Sequence, residues 1–332
     1  MSNHPVRIVI NGFGRIGRTL LRILMRDSAG IELVAINEIE SLATCAYLFQ
    51  YDSVFGPWPG DVTVDEGVLT VDERAIPFHA AEDLSTLDLG DVDVVLDCTG
   101  MAGTRAIAER GLAAGARAVL VSGPSDEADT TLVIGANDGD LAGQRIISNA
   151  SCTTNALAPL ARLLDDAFGI VSGQMTTVHC YTGSQPTVDK PRKALERSRA
   201  AALSMVPTTT SAQHQTGLVL PALKDRIEAR AIRVPTASVS CIDLTVQTRE
   251  PVSVASVNEM LQSAARRHHW LGWTDDPVVS SDLRGRPESL IVSGPQSSVS
   301  SGGLLRVFGW YDNEWGFSCR MLDMARRIGR RG

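Results

Sequence analysis

Val6-Arg7-Ile8-Val9-Ile10-Asn11-Gly12-Phe13-Gly14-Arg15-Ile16-Gly17 decides how this chain is read. Val6–Ile10 is apolar with no strict alternation, the pattern of a strand buried on both faces of a parallel sheet. It runs into G-x-G-x-x-G, and Leu20, Leu21 and Leu24 then mark the apolar face of a helix. Glycines between a strand and a helix let the backbone approach a pyrophosphate, whose charge suits the helix N-terminus. A second apolar run, Ile31–Asn37, ends at Glu38, an acid about 20 residues past the glycines. Such an acid accepts hydrogen bonds from ribose hydroxyls and repels a 2′-phosphate, so the expected cofactor is NAD rather than NADP. Gly12, Gly14, Arg15, Ile16, Gly17 and Glu38 are the candidate residues of that grip.

Outward from this motif the strand–helix alternation continues. A helix is expected over 43–51, and short antiparallel strands over 60–78 form an insert. Val92–Asp97 reads as a buried strand ending in Cys98-Thr99-Gly100, ahead of a helix over 104–114. Ala118–Val121 leads into Ser122-Gly123-Pro124, and 131–134 and 146–148 complete the sheet. Open parallel sheets bind ligands at the carboxyl ends of their strands, where these loops lie. Beyond Cys152 the strands lengthen and alternate, as in antiparallel sheets with one packed face: 175–179, 231–235, 239–247, 289–292 and 304–310. Ser256–Arg267 reads as a helix with Ser256 and Glu259 as its capping box. The expected fold class is α/β. A Rossmann NAD-binding domain spans 1–150, completed by a C-terminal helix over 316–332. An α+β catalytic domain with a mainly antiparallel sheet spans 151–315.

Where the two patterns meet stands Asn149-Ala150-Ser151-Cys152-Thr153-Thr154-Asn155-Ala156-Leu157-Ala158-Pro159. Cys152 falls where a strand ends and a helix begins, among small and hydroxylic residues. A helix N-terminus offers free N–H groups and a partial positive charge, which favour the nucleophilic thiolate. The six cysteines are scattered without a C-x-x-C pair, which argues against a disulfide framework or a zinc site. A net charge of −7 gives no reason to expect nucleic acid, and no apolar run reaches membrane-span length. The chain enters a strand at Val6, so no signal peptide is expected and the default compartment is the cytoplasm.

The Cys152 string resembles the active-site signature of the phosphorylating glyceraldehyde-3-phosphate dehydrogenase family. The resemblance extends over essentially the whole chain, including Trp310-Tyr311-Asp312-Asn313-Glu314-Trp315-Gly316-Phe317 near its end. It implies Cys152 as nucleophile and His179, in His179-Cys180-Tyr181-Thr182, as base. Thr99, Gly100 and Ser122 would lie along NAD, and Asn313 would orient the nicotinamide carboxamide. Thr182 and Arg233 would hold the substrate phosphate. Ser151, Thr153, Arg197 and Thr210, with Ser211 at the rim, would hold inorganic phosphate. The substrates implied are a small phosphorylated aldehyde and inorganic phosphate, and the assembly a homotetramer. In the family the long loop over 181–204 reaches toward a neighbouring subunit's cofactor. The chain departs from the common pattern at Ala156, Gly183, Ser184, Glu196, Ser211, Gln213, His214 and Phe317. Erythrose-4-phosphate dehydrogenase, of the same superfamily, is the alternative favoured by Glu38 and by the ending after Asn313. A thiol hydrolase and a non-catalytic NAD-binding protein are rivals from other classes.

Overall fold

The computed structural model describes residues 4–28 and 30–331. The chain divides into two compact units. The first comprises Met1–Leu132, Asp138–Ala150 and Ser318–Gly332; the second comprises Val133–Asn137 and Ser151–Phe317. The short excursion at 133–137 into the second unit has no signature in the apolar pattern of the sequence.

The first unit is built on a nine-stranded sheet. Its order is Thr130–Thr131, Ile146–Ser148, Ala118–Val121, Val94–Asp97, Val6–Asn11, Ile31–Asn37, Arg74–His79, Val68–Val71, Val62–Asp65. The first seven run parallel, and the last two add antiparallel hairpins at one edge. Helices α1 (Arg15–Arg26), α2 (Leu42–Gln50) and α3 (Arg105–Ala113) belong to this unit. Val6–Asn11 has neighbours on both sides, so its strand is buried as its unbroken apolar run requires. Strand order reverses around it, which sets the loop after Asn11 beside the loop after Asp97. A buried polar ladder ties these strand ends together. Asn37 Nδ2 donates to Asn11 Oδ1 (2.8 Å), and Asn11 Nδ2 donates to Asp97 Oδ2 (2.9 Å).

The second unit holds a mixed sheet in the order Val206–Thr208, Ile227–Val234, Ile170–Cys180, Ser240–Thr248, Leu304–Tyr311, Leu290–Ser293, Leu271–Thr274, with Ser298–Val299 paired to Leu304–Tyr311. Most pairs are antiparallel, but Ile170–Cys180 runs parallel to Ile227–Val234, and Leu271–Thr274 runs parallel to Leu290–Ser293. Helices α4 (Cys152–Phe168), α5 (Ala212–Val219) and α6 (Val254–Arg267) accompany it, and α7 (Trp315–Gly329) begins here before continuing in the first unit. The capping box of α6 is not Ser256 with Glu259. Ser253 is the N-cap, its hydroxyl accepting the Ser256 N–H (3.1 Å), and Ser256 Oγ accepts the Ser253 N–H (3.2 Å). Ser253 breaks the apolar period no differently from Ser256, so the pattern places the cap three residues too late.

Candidate functional site

Cys152 is the first residue of α4. The turn that delivers it passes through Ala150, whose φ of 56° lies in the left-handed region. A non-glycine residue held there costs roughly 1 kcal/mol, a strain retained at the junction of strand and nucleophile helix. Ser151 caps α4, its Oγ accepting the Thr154 N–H at 3.1 Å. Thr154 Oγ1 donates to Gln215 Oε1 (3.2 Å), so the Ser151 hydroxyl proton goes to Thr154 Oγ1 (2.7 Å). Ser151 is therefore fully committed to the cap in this arrangement. Thr153 is 3% exposed, and its Oγ1 meets the Tyr311 hydroxyl at 2.9 Å. Both the side chain and the main-chain N–H of Thr153 act on the Cys152 sulfur as hydrogen-bond donors.

His179 is brought to Cys152 by the strand Ile170–Cys180, with Nε2 3.5 Å from the Cys152 sulfur. Its Nδ1 lies 2.7 Å from the Cys180 carbonyl oxygen, and Arg233 Nη1 donates to the same oxygen at 3.1 Å. Nδ1–H donating to that carbonyl leaves the Nε2 lone pair facing the thiol. Arg233 sits directly opposite His179 in the parallel register, and its Nη1 is 2.9 Å from Nδ1. Burial, reinforced by this guanidinium, pulls the His179 imidazole down to about 4. Burial also pushes the Cys152 thiol up, opposed by Arg233 and by hydrogen bonds at the start of α4. The helix N-terminus thus works as the sequence suggested but does not outweigh burial. Both directions favour thiol and neutral imidazole over the ion pair, and His179 Nε2 is the ring nitrogen placed to take the thiol proton.

Tyr311 belongs to the site although the sequence pattern assigns it no role. Its buried hydroxyl joins Thr153 Oγ1 to Thr177 Oγ1 (2.8 Å), and its ring stands edge-on to His179 with centroids 6.0 Å apart. Thr177 Oγ1 also donates to the Cys241 carbonyl (2.9 Å). The signal was available: a buried tyrosine needs a partner for its hydroxyl.

The anion-binding candidates fall into separate groups. Arg197 Nε donates to Thr208 Oγ1 (2.7 Å) and Nη2 to the Thr209 carbonyl (3.2 Å), which brings Arg197 to the segment carrying Thr210. Thr210 Oγ1 accepts the Ala212 N–H (3.2 Å), and the exposed Ser211 makes no cap bond to α5. Val206 on this segment's strand lies opposite Arg233. Thr182 meets Ser184 Oγ at 2.9 Å. Asn313 is buried, with Oδ1 accepting from Cys180 Sγ (3.1 Å) and from Ser240 Oγ (3.4 Å).

In the first unit a cavity of about 530 Å³ is bordered by Gly12, Gly14, Glu38, Thr99, Met101 and Arg110, among others. Its glycines fit a dinucleotide. Gly12 has φ +94°, and a Cβ there would lie 2.6 Å from the Thr99 nitrogen. A Cβ on Gly17 would collide with the Gly12 carbonyl oxygen, whereas Gly14 faces open space. Two glycines hold the loop tight and the third leaves room for a phosphate. Glu38 is oriented by the Phe13 N–H on Oε2 (2.7 Å) and the Glu40 N–H on Oε1 (3.2 Å). Thr99 and Gly100 (φ +73°) follow Asp97, and Ser122 N–H donates to the Asp97 carbonyl (2.9 Å). Arg15 turns its guanidinium to Asp52 rather than to the loop. Burial alone would raise the Asp52 carboxyl, but Arg15 and the Phe55 and Val54 N–H groups hold it below the usual range. Arg15 and Ile16 are the first two residues of α1. No group of three or more His, Cys, Asp or Glu poised for a metal occurs among the described residues.

Residues 6–105 match the model described as glyceraldehyde 3-phosphate dehydrogenase, NAD binding domain, and residues 151–313 match glyceraldehyde 3-phosphate dehydrogenase, C-terminal domain. The chain belongs to the glyceraldehyde 3-phosphate dehydrogenase family. It is 47% identical over 334 residues to the glyceraldehyde-3-phosphate dehydrogenase of Xanthobacter flavus, covering 98% of this chain and 99% of that protein. It is 45% identical over 329 residues to that of Cereibacter sphaeroides, again covering 98% and 99%. Within this family the α/β architecture is a Rossmann NAD-binding domain joined to a catalytic domain, and the chain is an NAD-dependent oxidoreductase of that class. No helix among the described residues is long and apolar enough to cross a membrane.

Proposed function

We propose that this protein oxidises glyceraldehyde 3-phosphate with NAD and inorganic phosphate, giving 1,3-bisphosphoglycerate through a thioester on Cys152. The observation that carries the reading is the Cys152 sulfur 3.5 Å from His179 Nε2 at the first turn of α4. The first unit is read as the cofactor domain and the second as the catalytic one. Gly12, Gly14, Gly17, Glu38, Thr99, Gly100, Ser122 and the start of α1 at Arg15 and Ile16 would hold NAD, with Asn313 aligning its carboxamide. When bound, NAD supplies the hydride acceptor. Cys152 gives its proton to His179 and adds to the aldehyde carbon, forming a thiohemiacetal. The Cys152 N–H and the protonated His179 steady the developing oxyanion, and His179 then gives its proton to that oxygen, which makes the thiohemiacetal hydroxyl and leaves a neutral imidazole. That alcohol then loses its proton to His179 as its carbon loses hydride, leaving a thioester. Phosphate oxygen adds to the thioester carbonyl and the Cys152 thiolate departs, which releases the acyl phosphate. Arg233 and Thr182 would bind the substrate phosphate. Arg197, Thr210, Ser211 and the Ser151–Thr153 main chain would bind the attacking one, since guanidinium forks and directed donors suit phosphate.

The names of the relatives support glyceraldehyde 3-phosphate over erythrose 4-phosphate. NADH formation is to be followed with each aldehyde, with and without phosphate. The reading expects higher kcat/KM with glyceraldehyde 3-phosphate and turnover that depends on phosphate. Higher efficiency with erythrose 4-phosphate would reassign the substrate, and turnover indifferent to phosphate would remove the acyl-phosphate step. We also read the protein as a cytoplasmic homotetramer.

A further inference from the structure

Asn313 is an amide with two faces, and only one of them suits a given ligand atom. An asparagine side chain can turn over at the small expense of exchanging its oxygen and nitrogen, so an amide that must present its nitrogen needs its oxygen pinned. Two donors do this here. Cys180 Sγ stands 3.1 Å from Asn313 Oδ1, a close approach for a thiol hydrogen bond. Ser240 Oγ stands 3.4 Å from the same oxygen. Ser240 Oγ also accepts the Cys180 main-chain N–H (3.1 Å), which leaves its own proton for Asn313. The three residues come from different elements: the end of Ile170–Cys180, the start of Ser240–Thr248, and the turn after Leu304–Tyr311. All three are buried, Cys180 completely and Ser240 to 1% exposure. Burial pushes the Cys180 thiol up to about 12, so it stays protonated and remains a donor throughout the working pH range.

We propose that the Cys180 thiol and the Ser240 hydroxyl are positioning residues for NAD, fixing the Asn313 amide with its oxygen inward and its nitrogen available to a carboxamide oxygen. Cys180 directly follows His179, so one strand end serves both the base and the cofactor-orienting amide. A flipped Asn313 would face a carboxamide oxygen with its own oxygen, two acceptors with no proton between them. The inference rests on the reading of Asn313 as the nicotinamide-facing residue.

The test compares binding of NAD with binding of ADP-ribose, which lacks the nicotinamide, by titration calorimetry of the full-length protein. The unmodified protein is expected to bind NAD more tightly than ADP-ribose. Cys180→Ala is expected to weaken NAD binding roughly three- to tenfold, the worth of a neutral hydrogen bond, with ADP-ribose unchanged. Cys180→Ser, which keeps a donor, is expected to restore most of the loss. Ser240→Ala gives the same selective weakening and stands in should Cys180→Ala not fold. In turnover the same variants raise KM for NAD more than KM for phosphate. If NAD binding in Cys180→Ala and Ser240→Ala equals that of the unmodified protein, or falls in step with ADP-ribose, the positioning role is wrong. If Asn313→Ala binds NAD as well as the unmodified protein does, the underlying reading of Asn313 fails instead.

Discussion

At the scale of single residues the account turns on a proton shared between Cys152 and His179. Cys152→Ser is expected to lower aldehyde oxidation by several orders of magnitude while NAD still binds, because a hydroxyl does not ionise as a thiol does. His179→Asn is expected to slow turnover and Cys152 alkylation together; near-normal steady-state rates in either variant would remove the covalent role. Arg233 acts on both partners with one sign of charge. It favours thiolate and disfavours imidazolium. Arg233→Ala is therefore expected to slow iodoacetamide alkylation near pH 7 by about a factor of ten per unit of thiol shift, while the His179 titration moves up from about 4. Alkylation that is unchanged or faster would contradict this. The buried imidazole also links folding to pH. Its folded value is depressed from 6.5 to about 4, so the unfolded chain binds the proton first and stability falls as pH drops through that window. The loss amounts to roughly 3 kcal/mol, and His179→Asn is expected to remove that share of the acid sensitivity in denaturant titrations.

At the scale of elements, the nucleophile depends on how α4 starts. Ser151→Ala removes the cap and is expected to destabilise the protein by about 1 kcal/mol, read as a shift in the denaturation midpoint. It also removes the hydroxyl beside Thr154 Oγ1 and leaves the Thr154–Gln215 hydrogen bond in place. In α1, Gly17→Ala would press a methyl on the Gly12 carbonyl and is expected to lower both stability and NAD affinity, whereas a methyl on Gly14 meets no protein atom within 4 Å and is expected to leave stability unchanged while weakening NAD binding by filling the space kept for phosphate. A Gly14→Ala variant that binds NAD as tightly as the unmodified protein, or that loses stability as Gly17→Ala does, would overturn this use of the glycines. The glycine loop was legible because strand, glycine spacing and acid are all local signals within about 30 residues. The direction of neighbouring strands was not: alternation in Ile170–Cys180 tells which face is packed, yet says nothing of its parallel partner Ile227–Val234. The true cap of α6 was hidden because Ser253 and Ser256 are the same residue type in the same local setting.

At the scale of the molecule, the pairs that matter are far apart in sequence. Cys152 and His179 are 27 residues apart, and Thr153 and Tyr311 are 158 apart. Only the resemblance to a family foretold the first, and no local pattern named the partner in the second, because that hydroxyl pair is set by how the start of α4 meets the end of the strand Leu304–Tyr311. Exposed Val188, Leu195, Leu203 and Met205 leave the segment over 181–205 with apolar surface to cover, in keeping with the proposed assembly. Light scattering at micromolar concentration is expected to give four times the chain mass, and a monomer would contradict it. The most direct test of the whole account is intact mass spectrometry after mixing enzyme, NAD and glyceraldehyde 3-phosphate without phosphate. The account predicts one acyl group per chain, mapped to Cys152 and discharged on adding phosphate. An unmodified chain that nonetheless makes NADH, or an acyl group on another residue, would contradict it.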